Sequence, residues 1–484
     1  MKNLKKLTVA VVALTTYFMG SCDFSETNID PDNVLTAPIA QQLTSLTVNV
    51  GFLAGSDLNR YSSLFIQQFS GQSTGARTQM QQYESFEITG NDVNNAWLNV
   101  YAVTLNDAEN IIKIGTSTNN PHYSGVAKIL KAYTYQVAVD AWGKIPFSQA
   151  QGGSSNTKPV YDSDEVIYAG LISLLDQGIA EVNATTSASS PNTNSTIYSG
   201  AWPVQRTSWV KLANTLKLRL FLHYSEKNPA FAKTGIDNIV ASGVPLFSSN
   251  ADSFQMPFTN IANGRNPIDQ FQTARIGNLV TNAKLVGMMN SKNDPRRASY
   301  FTQVGTNFVG AIAGAPASPL SYSNFHTYLR GALVGASYTG AAPIRMLTFA
   351  EYNFIRAEAA LRFNSPGSAT TFYQAGITAS MSDAGVIPAD ITTYIIANGT
   401  LTGTPAQQLE QIINEKYIAS YGVVSEPWSD WRRTGYPTLV TPSNSNGVAI
   451  PRSLFYPQSE IDLNGANVSQ KVGLSVRVFW DTRP

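Results

Sequence analysis

A helical period that returns in pairs constrains this chain more than any other feature. In AWLNVYAVTLNDAENIIKIG (96–115), Trp97, Tyr101, Leu105, Ala108 and Ile112 recur at three- and four-residue steps, which puts them on one face of a helix. GVAKILKAYTYQVAVDAWG (125–143) does the same with Val126, Leu130, Tyr133 and Val137, and TSTNNPHYSG supplies the turn between the two. A second pair aligns Ile167, Leu171, Leu174 and Val182, with Ser163 or Asp164 as cap, then Trp209, Leu212, Leu216 and Leu220. The loop between them, NATTSASSPNTNSTIYSGAWP, has no apolar face of its own. LTFAEYNFIRAEAALRF opens the third set with Thr348 and Glu351 at capping-box spacing, and Glu358 and Arg362 sit at i,i+4. SATTFYQAGITASM follows a Pro366-Gly367 turn, and TPAQQLEQIINEKYIASY has Thr404 and Gln407 as a box with Pro405 at the first helical position.

Repeated pairs of this kind predict a mostly α fold, with tetratricopeptide-like helix pairs forming a superhelical scaffold over about 91–142, 163–226 and 347–421. Two regions break the period. Residues 243–346, above all the Gly-, Ala-, Ser- and Tyr-rich stretch 303–346, and residues 422–484 predict an irregular lobe of loops and short strands within one domain, 41–484. Loops carry function more often than the helices that hold them, so a ligand is expected in this lobe.

The N-terminus has another purpose. Lys2, Lys5 and Lys6 precede an apolar run from Leu7 to Met19, too short to span a bilayer, and Gly20 and Ser21 follow. This predicts a signal peptide over 1–21. Cys22 is the single cysteine, and its place just after the small residues predicts cleavage before it and acylation of its new N-terminus, palmitate included. An ordinary cleaved signal with an accidental cysteine nearby is the other reading. Residues 22–40, with Pro31 and Pro38, read as a tether.

Composition narrows the partners. Without the signal, 30 basic residues (three fewer than 33) face 32 acidic ones, and only 13% of the chain is charged, against about 25% in ordinary soluble domains. Nucleic acid needs clustered Lys and Arg and is not an expected partner. The three histidines, His122, His223 and His326, show no metal-ligand spacing, and no nucleophile elbow, P-loop or dinucleotide fingerprint occurs; no cofactor, metal or catalytic residue is expected. His223 reads as a core or boundary residue. Glu351 and Glu358 lie one heptad apart and read as helix-stabilising rather than as a glycosidase pair. Arg432 and Arg433 beside Trp428 and Trp431 read as packing, and NDPRR (293–297) as a turn.

In order along the chain, AWLNVYAVTLNDAENII, ILKAYTYQVAVDAWGKIPFSQA, SWVKLANTLKLRLFLH, NDPRR, TFAEYNFIRAEAAL, INEKYIASYG, EPWSDWRRTGYP and IPRSLFYPQSEIDLN resemble the SusD/RagB family, from about residue 22 to 470. The resemblance implies a non-enzymatic nutrient-binding lipoprotein, lipid-anchored in the outer membrane and facing the cell exterior. It also implies a partner, a SusC-like TonB-dependent transporter that imports oligosaccharides or, in some members, peptides. The acidic residues Asp23, Glu26, Asp30 and Asp32 are similar to the family's surface-export signal. The resemblance does not fix the ligand site. Stacking rings with amide and guanidinium groups suit sugars, which selects Arg77, Gln79 and Tyr83 in one loop stretch and Tyr322, Asn324, His326 and Tyr328 in another. The competing function is a lipid-anchored glycoside hydrolase acting on the same polymers.

Overall fold

A computed structural model describes residues 37–261, 263–314 and 318–483. Cys22, the signal and most of the tether lie outside the described residues. The tether leads into α1 (Ile39–Gly55) and α2 (Asp57–Phe65), followed by β1 (Phe69–Gly71) and α3 (Gln79–Glu84). The first expected helix is interrupted: a π-helical stretch, Asn99–Leu105, separates α4 (Asn94–Leu98) from α5 (Asn106–Ser117). Ile111 is fully buried beside Leu105 and Ala108, and Ile112, the expected face residue, is partly buried against the same core.

α5, α6 (Pro121–Trp142), α7 (Asp164–Val182), α8 (Trp202–His223) and α9 (Pro229–Ala241) pack each against the next. Ser163 is the cap of α7, its Oγ accepting from the Val166 N–H at 3.4 Å. Then comes the lobe: β2 (Phe254–Met256), α10 (Pro267–Ala274), β3 (Leu279–Thr281), α11 (Ala283–Ser291) and α12 (Arg297–Tyr300). It continues with α13 (Thr327–Arg330), β4 (Leu333–Val334), β5 (Ser337–Tyr338) and β6 (Ile344–Leu347). The lobe thus contains short helices as well as the expected loops and strands. Asn266 and Asn282 cap two of them, accepting from Asp269 N and Lys284 N, and local caps of this sort are invisible to a search for long apolar periods.

The scaffold resumes with α14 (Phe349–Phe363), α15 (Ala369–Asp383), α16 (Pro388–Asn398) and α17 (Pro405–Ala419). The 422–484 tail, expected to be irregular, carries two short helices, α18 (Glu426–Thr434) and α19 (Gln458–Asn464). Thr404 and Gln407 form the full box expected. At α14 only half of one forms: Thr348 Oγ1 accepts from Glu351 N at 3.1 Å, but the Glu351 carboxylate is drawn away to Arg219. Three antiparallel two-stranded ribbons tie the irregular segments down: β1–β3, β2–β6 and β4–β5.

The apolar core runs continuously from α1 through the scaffold into the lobe, with a smaller cluster between α14, α15, α16 and α17. A charged network threads it. Arg219 on α8 grips Glu351 with two bonds of 2.7 Å and donates to the Met346 carbonyl at 2.7 Å. Lys416 on α17 lies 2.8 Å from both Glu426 and Asp430 on α18, while Arg433 chelates Glu358 and reaches Asp430 at 2.9 Å. His223 sits among them, 3.2 Å from Glu426 and 2.7 Å from the Tyr168 hydroxyl. These charges are buried and paired, which makes them costly to break singly. Arg432 is packed over Trp428 at 3.9 Å and Trp480 at 4.7 Å, with backbone carbonyls as acceptors. In NDPRR, Arg296 is fully buried between Asp294 and Glu415, at 2.6 and 2.9 Å. The motifs read as packing and turn are built that way.

Candidate ligand site

The β1–β3 ribbon organises the irregular lobe. Phe69 faces Thr281 and Gly71 faces Leu279. The ladder extends at both ends, through Gln72 N to Asn278 O at 2.8 Å and Asn282 N to Gln68 O at 3.1 Å. Gly71 is needed because β1 presses onto α3: a Cβ there would lie 2.5 Å from the Met80 carbonyl. Residues 309–311 and 323–325 run alongside, with Ala311 N donating to Thr281 O at 2.9 Å, Thr281 N donating to Ser323 O at 3.0 Å and the Phe69 ring tilted against Phe325 at 4.3 Å. Both ligand-candidate stretches therefore flank one ribbon. Ser318 N, ahead of the second stretch, donates to Gln72 Oε1, ahead of the first, at 2.9 Å.

At the Gly277 end of the ribbon lies a cleft of about 310 Å³, whose lining includes Gln272, Ile276, Asn324, Arg330, Ser337 and Tyr338. Its geometry comes from α10 and the β4–β5 hairpin. Asn266 caps α10 through Oδ1, and its Nδ2 holds the Leu329 and Ala342 carbonyls at 3.0 Å each. The hairpin turns at Gly335-Ala336, with Gly335 at φ 60°, a conformation that glycine adopts freely. Behind the wall, fully buried Asp269 takes Arg330 Nε at 2.8 Å and Arg265 at 2.5 Å. Arg265 also donates to the Tyr338 carbonyl at 2.7 Å. Arg330 is held at Nε and Arg265 at Nη2, and the Arg330 guanidinium lies 4.0 Å from the centre of the Tyr338 ring.

His326 completes the arrangement from outside the lining, its Nδ1 lying 2.8 Å from the Tyr338 hydroxyl. Burial and then Arg330 lower its pKa, which favours the neutral ring as acceptor for that hydroxyl. Burial raises the pKa of Tyr338 in turn, so the phenol stays protonated. The cleft offers an aromatic ring, guanidinium edges, amides and hydroxyls, and none of its lining residues is acidic.

The sequence candidates divide. Asn324 lines the cleft and His326 supports it. Tyr322 is half-buried nearby. Tyr328 is buried, under the Arg345 guanidinium at 3.7 Å and against Tyr300 at 4.4 Å, so its ring is covered. Tyr83 is likewise core: its edge meets Tyr61 at 5.1 Å and its hydroxyl donates to Asp92 at 2.9 Å. Both tyrosines fall on the inward side of a turn of helix, a direction that loop composition does not report. Arg77 is exposed but bound to Glu87 by two bonds of 2.8 Å, and Gln79 is exposed at the start of α3. Neither lines the cleft. Sequence reasoning missed Arg265, Gln272, Arg330 and Tyr338; the signal available was the Gly-Ala hairpin between Val334 and Ser337.

Among the described residues no helix is long and apolar enough to cross a membrane, and no cluster of acidic, histidine and cysteine side chains could hold a metal. No curated protein matches this sequence. Solved structures do. A chitin-binding protein shares 26% identity, with 92% of this chain and 100% of the other covered and a TM-score of 0.78. A chitin-binding SusD homolog from Flavobacterium johnsoniae shares 24%, covering 92% and 99%, with a TM-score of 0.76. A SusD homolog from Bacteroides uniformis also shares 24%, covering 91% and 99%, with a TM-score of 0.75. The family described as "Starch-binding associating with outer membrane" matches residues 26–457. The chain belongs to this SusD-like family.

Proposed function

We propose that this protein captures a neutral glycan in the Tyr338 cleft and passes it, uncleaved, to a TonB-dependent SusC-like transporter, while acyl chains on Cys22 hold it at the outer face of the outer membrane. The observation that carries the reading is the lining itself: a Tyr338 ring set by Arg330, beside the Gln272 and Asn324 amides and the Ser337 hydroxyl. Rings cover the apolar faces of sugars, and amide and guanidinium groups meet hydroxyls in pairs. Hydrolysis would need two carboxylates flanking the scissile bond. Among the described residues no acid lines the cleft, and Asp269 behind its wall is buried and engaged by two arginines. A relative at 26% identity that is named for binding chitin favours an N-acetylhexosamine polymer within the neutral class.

The test is electrophoresis of the chain beginning after Cys22 through gels containing neutral and acidic polysaccharides, glycol chitin among them. Retardation by a neutral polymer that keeps its length supports capture. Shortening of the polymer turns the reading to hydrolysis, and retardation by none of them turns it to peptides.

A further inference from the structure

The opposite end of the same ribbon opens on a second cleft, of about 370 Å³, which shares no residue with the first. Its walls are Ile312 and Ala313 from one segment, Val440 and Pro442 from another, and the start of α11. Gln67 Nε2 donates to the Val440 carbonyl and ties the tail segment to the ribbon.

Three features of the floor point to an anion. Asn282 is 2% exposed. Its Oδ1 is used to cap α11, accepting from Lys284 N at 2.8 Å, but its Nδ2 has no acceptor among the described residues. A buried amide donor without a partner is uncommon and calls for one. Lys284 is half-buried in the same lining, and no carboxylate pairs with it among the described residues. Burial lowers its pKa, with only Glu410 acting against that from a distance. Finally, Ala283 and Lys284 line the cleft at the positive end of α11, with their own N–H groups engaged by the Ala311 carbonyl and Asn282 Oδ1.

We propose that this second cleft is a separate subsite for a ligand carboxylate on a compact aliphatic body. The carboxylate accepts from Asn282 Nδ2 and pairs with the Lys284 ammonium, while the body packs on Ile312 and Val440. A free aliphatic acid and the C-terminal end of an apolar peptide share that chemistry.

Titration calorimetry of the chain beginning after Cys22 separates these sources, with valerate, valeramide, the tripeptide Ala-Ala-Val and its C-terminal amide as probes. Valerate binding without the tripeptide identifies a free acid, and tripeptide binding identifies a chain end. In either case the two amides bind at least about tenfold more weakly, the cost of losing a charged hydrogen bond. Lys284→Met keeps the aliphatic stem, and Asn282→Asp keeps a capping oxygen while removing the donor. Each lowers affinity for the acid by about tenfold or more, with polysaccharide retardation unchanged in both and the thermal midpoint unchanged in Lys284→Met. Amides that bind as well as acids, a Lys284→Met protein of full affinity, or no heat from either acid in the millimolar range would overturn the proposal. Because polysaccharide retardation is read on the same samples, failure here is distinct from failure of the glycan reading.

Discussion

Scaffold and lobe both set arginines against carboxylates, but they expose them differently. Between α8, α14, α17 and α18, Arg219, Arg433, Glu351, Glu358 and Glu426 are all sealed, and their partners are buried protein groups. In the lobe, Asp269 is equally sealed, yet its partners Arg265 and Arg330 also line the cleft. The same ion pair thus locks helices in one region and aims a binding surface in the other. What separates the two uses is whether the cation's far side meets protein or solvent.

The largest test of this contrast is Glu358→Gln, which strips a carboxylate from buried Arg433. Chemical denaturation should show a loss of about 3–5 kcal/mol. A loss below about 1 kcal/mol would put the scaffold pairs on the footing of surface ones. Tyr338→Ala in the lobe should leave that midpoint in place and weaken glycan binding by about 0.5–1.5 kcal/mol, or roughly two- to tenfold, read from retardation against polymer concentration.

Titration sharpens the comparison. Burial alone would raise Glu358, but Arg433 more than offsets it and holds the carboxyl down at about 2. The scaffold therefore keeps this contribution above the ordinary carboxylate range, near pH 4.5, and loses it as pH falls from there toward 2. Glu84, at the end of α3 beside the ribbon, behaves oppositely. Among the described residues its donors are Ser70 and backbone N–H groups, including Gly314 at 3.1 Å, and burial raises it to about 7. Its native form holds a proton that the unfolded chain has released, so stability falls as pH rises from 4.5 to 7. Thermal midpoints across that window should decline in the wild type and flatten in Glu84→Gln; an unchanged slope in the variant would remove Glu84 as the cause. The smallest effect belongs to Arg77→Ala. Its pair with Glu87 is exposed by 44% and 41%, so denaturation should register under about 1 kcal/mol.

How much of this was legible depends on range. Helix pairs announce themselves because apolar side chains repeat every three or four residues, and Thr404, Gln407 and Ser163 mark their starts through contacts only three residues long. The network that locks the pairs was not legible: Arg219 and Glu351 lie 132 residues apart, and no local pattern joins them. The lobe is still less periodic. Asn324 and His326 were selected by composition and do sit at or beside the cleft, whereas Tyr83 and Tyr328 were selected by the same rule and are covered by other rings. Composition reports which chemistry a loop owns, and the direction of each side chain is set by contacts such as those of Asn266 to Leu329 and Ala342.

The account rests on the Tyr338 cleft as the place where glycan is held. The most direct measurement compares wild type and Tyr338→Ala, both beginning after Cys22, in glycol chitin gels, with thermal midpoints and polymer length followed in parallel. The account predicts retardation of the wild type, weaker retardation of the variant, equal midpoints and a polymer of unchanged length. Equal retardation of both proteins, or a shortened polymer, would contradict it.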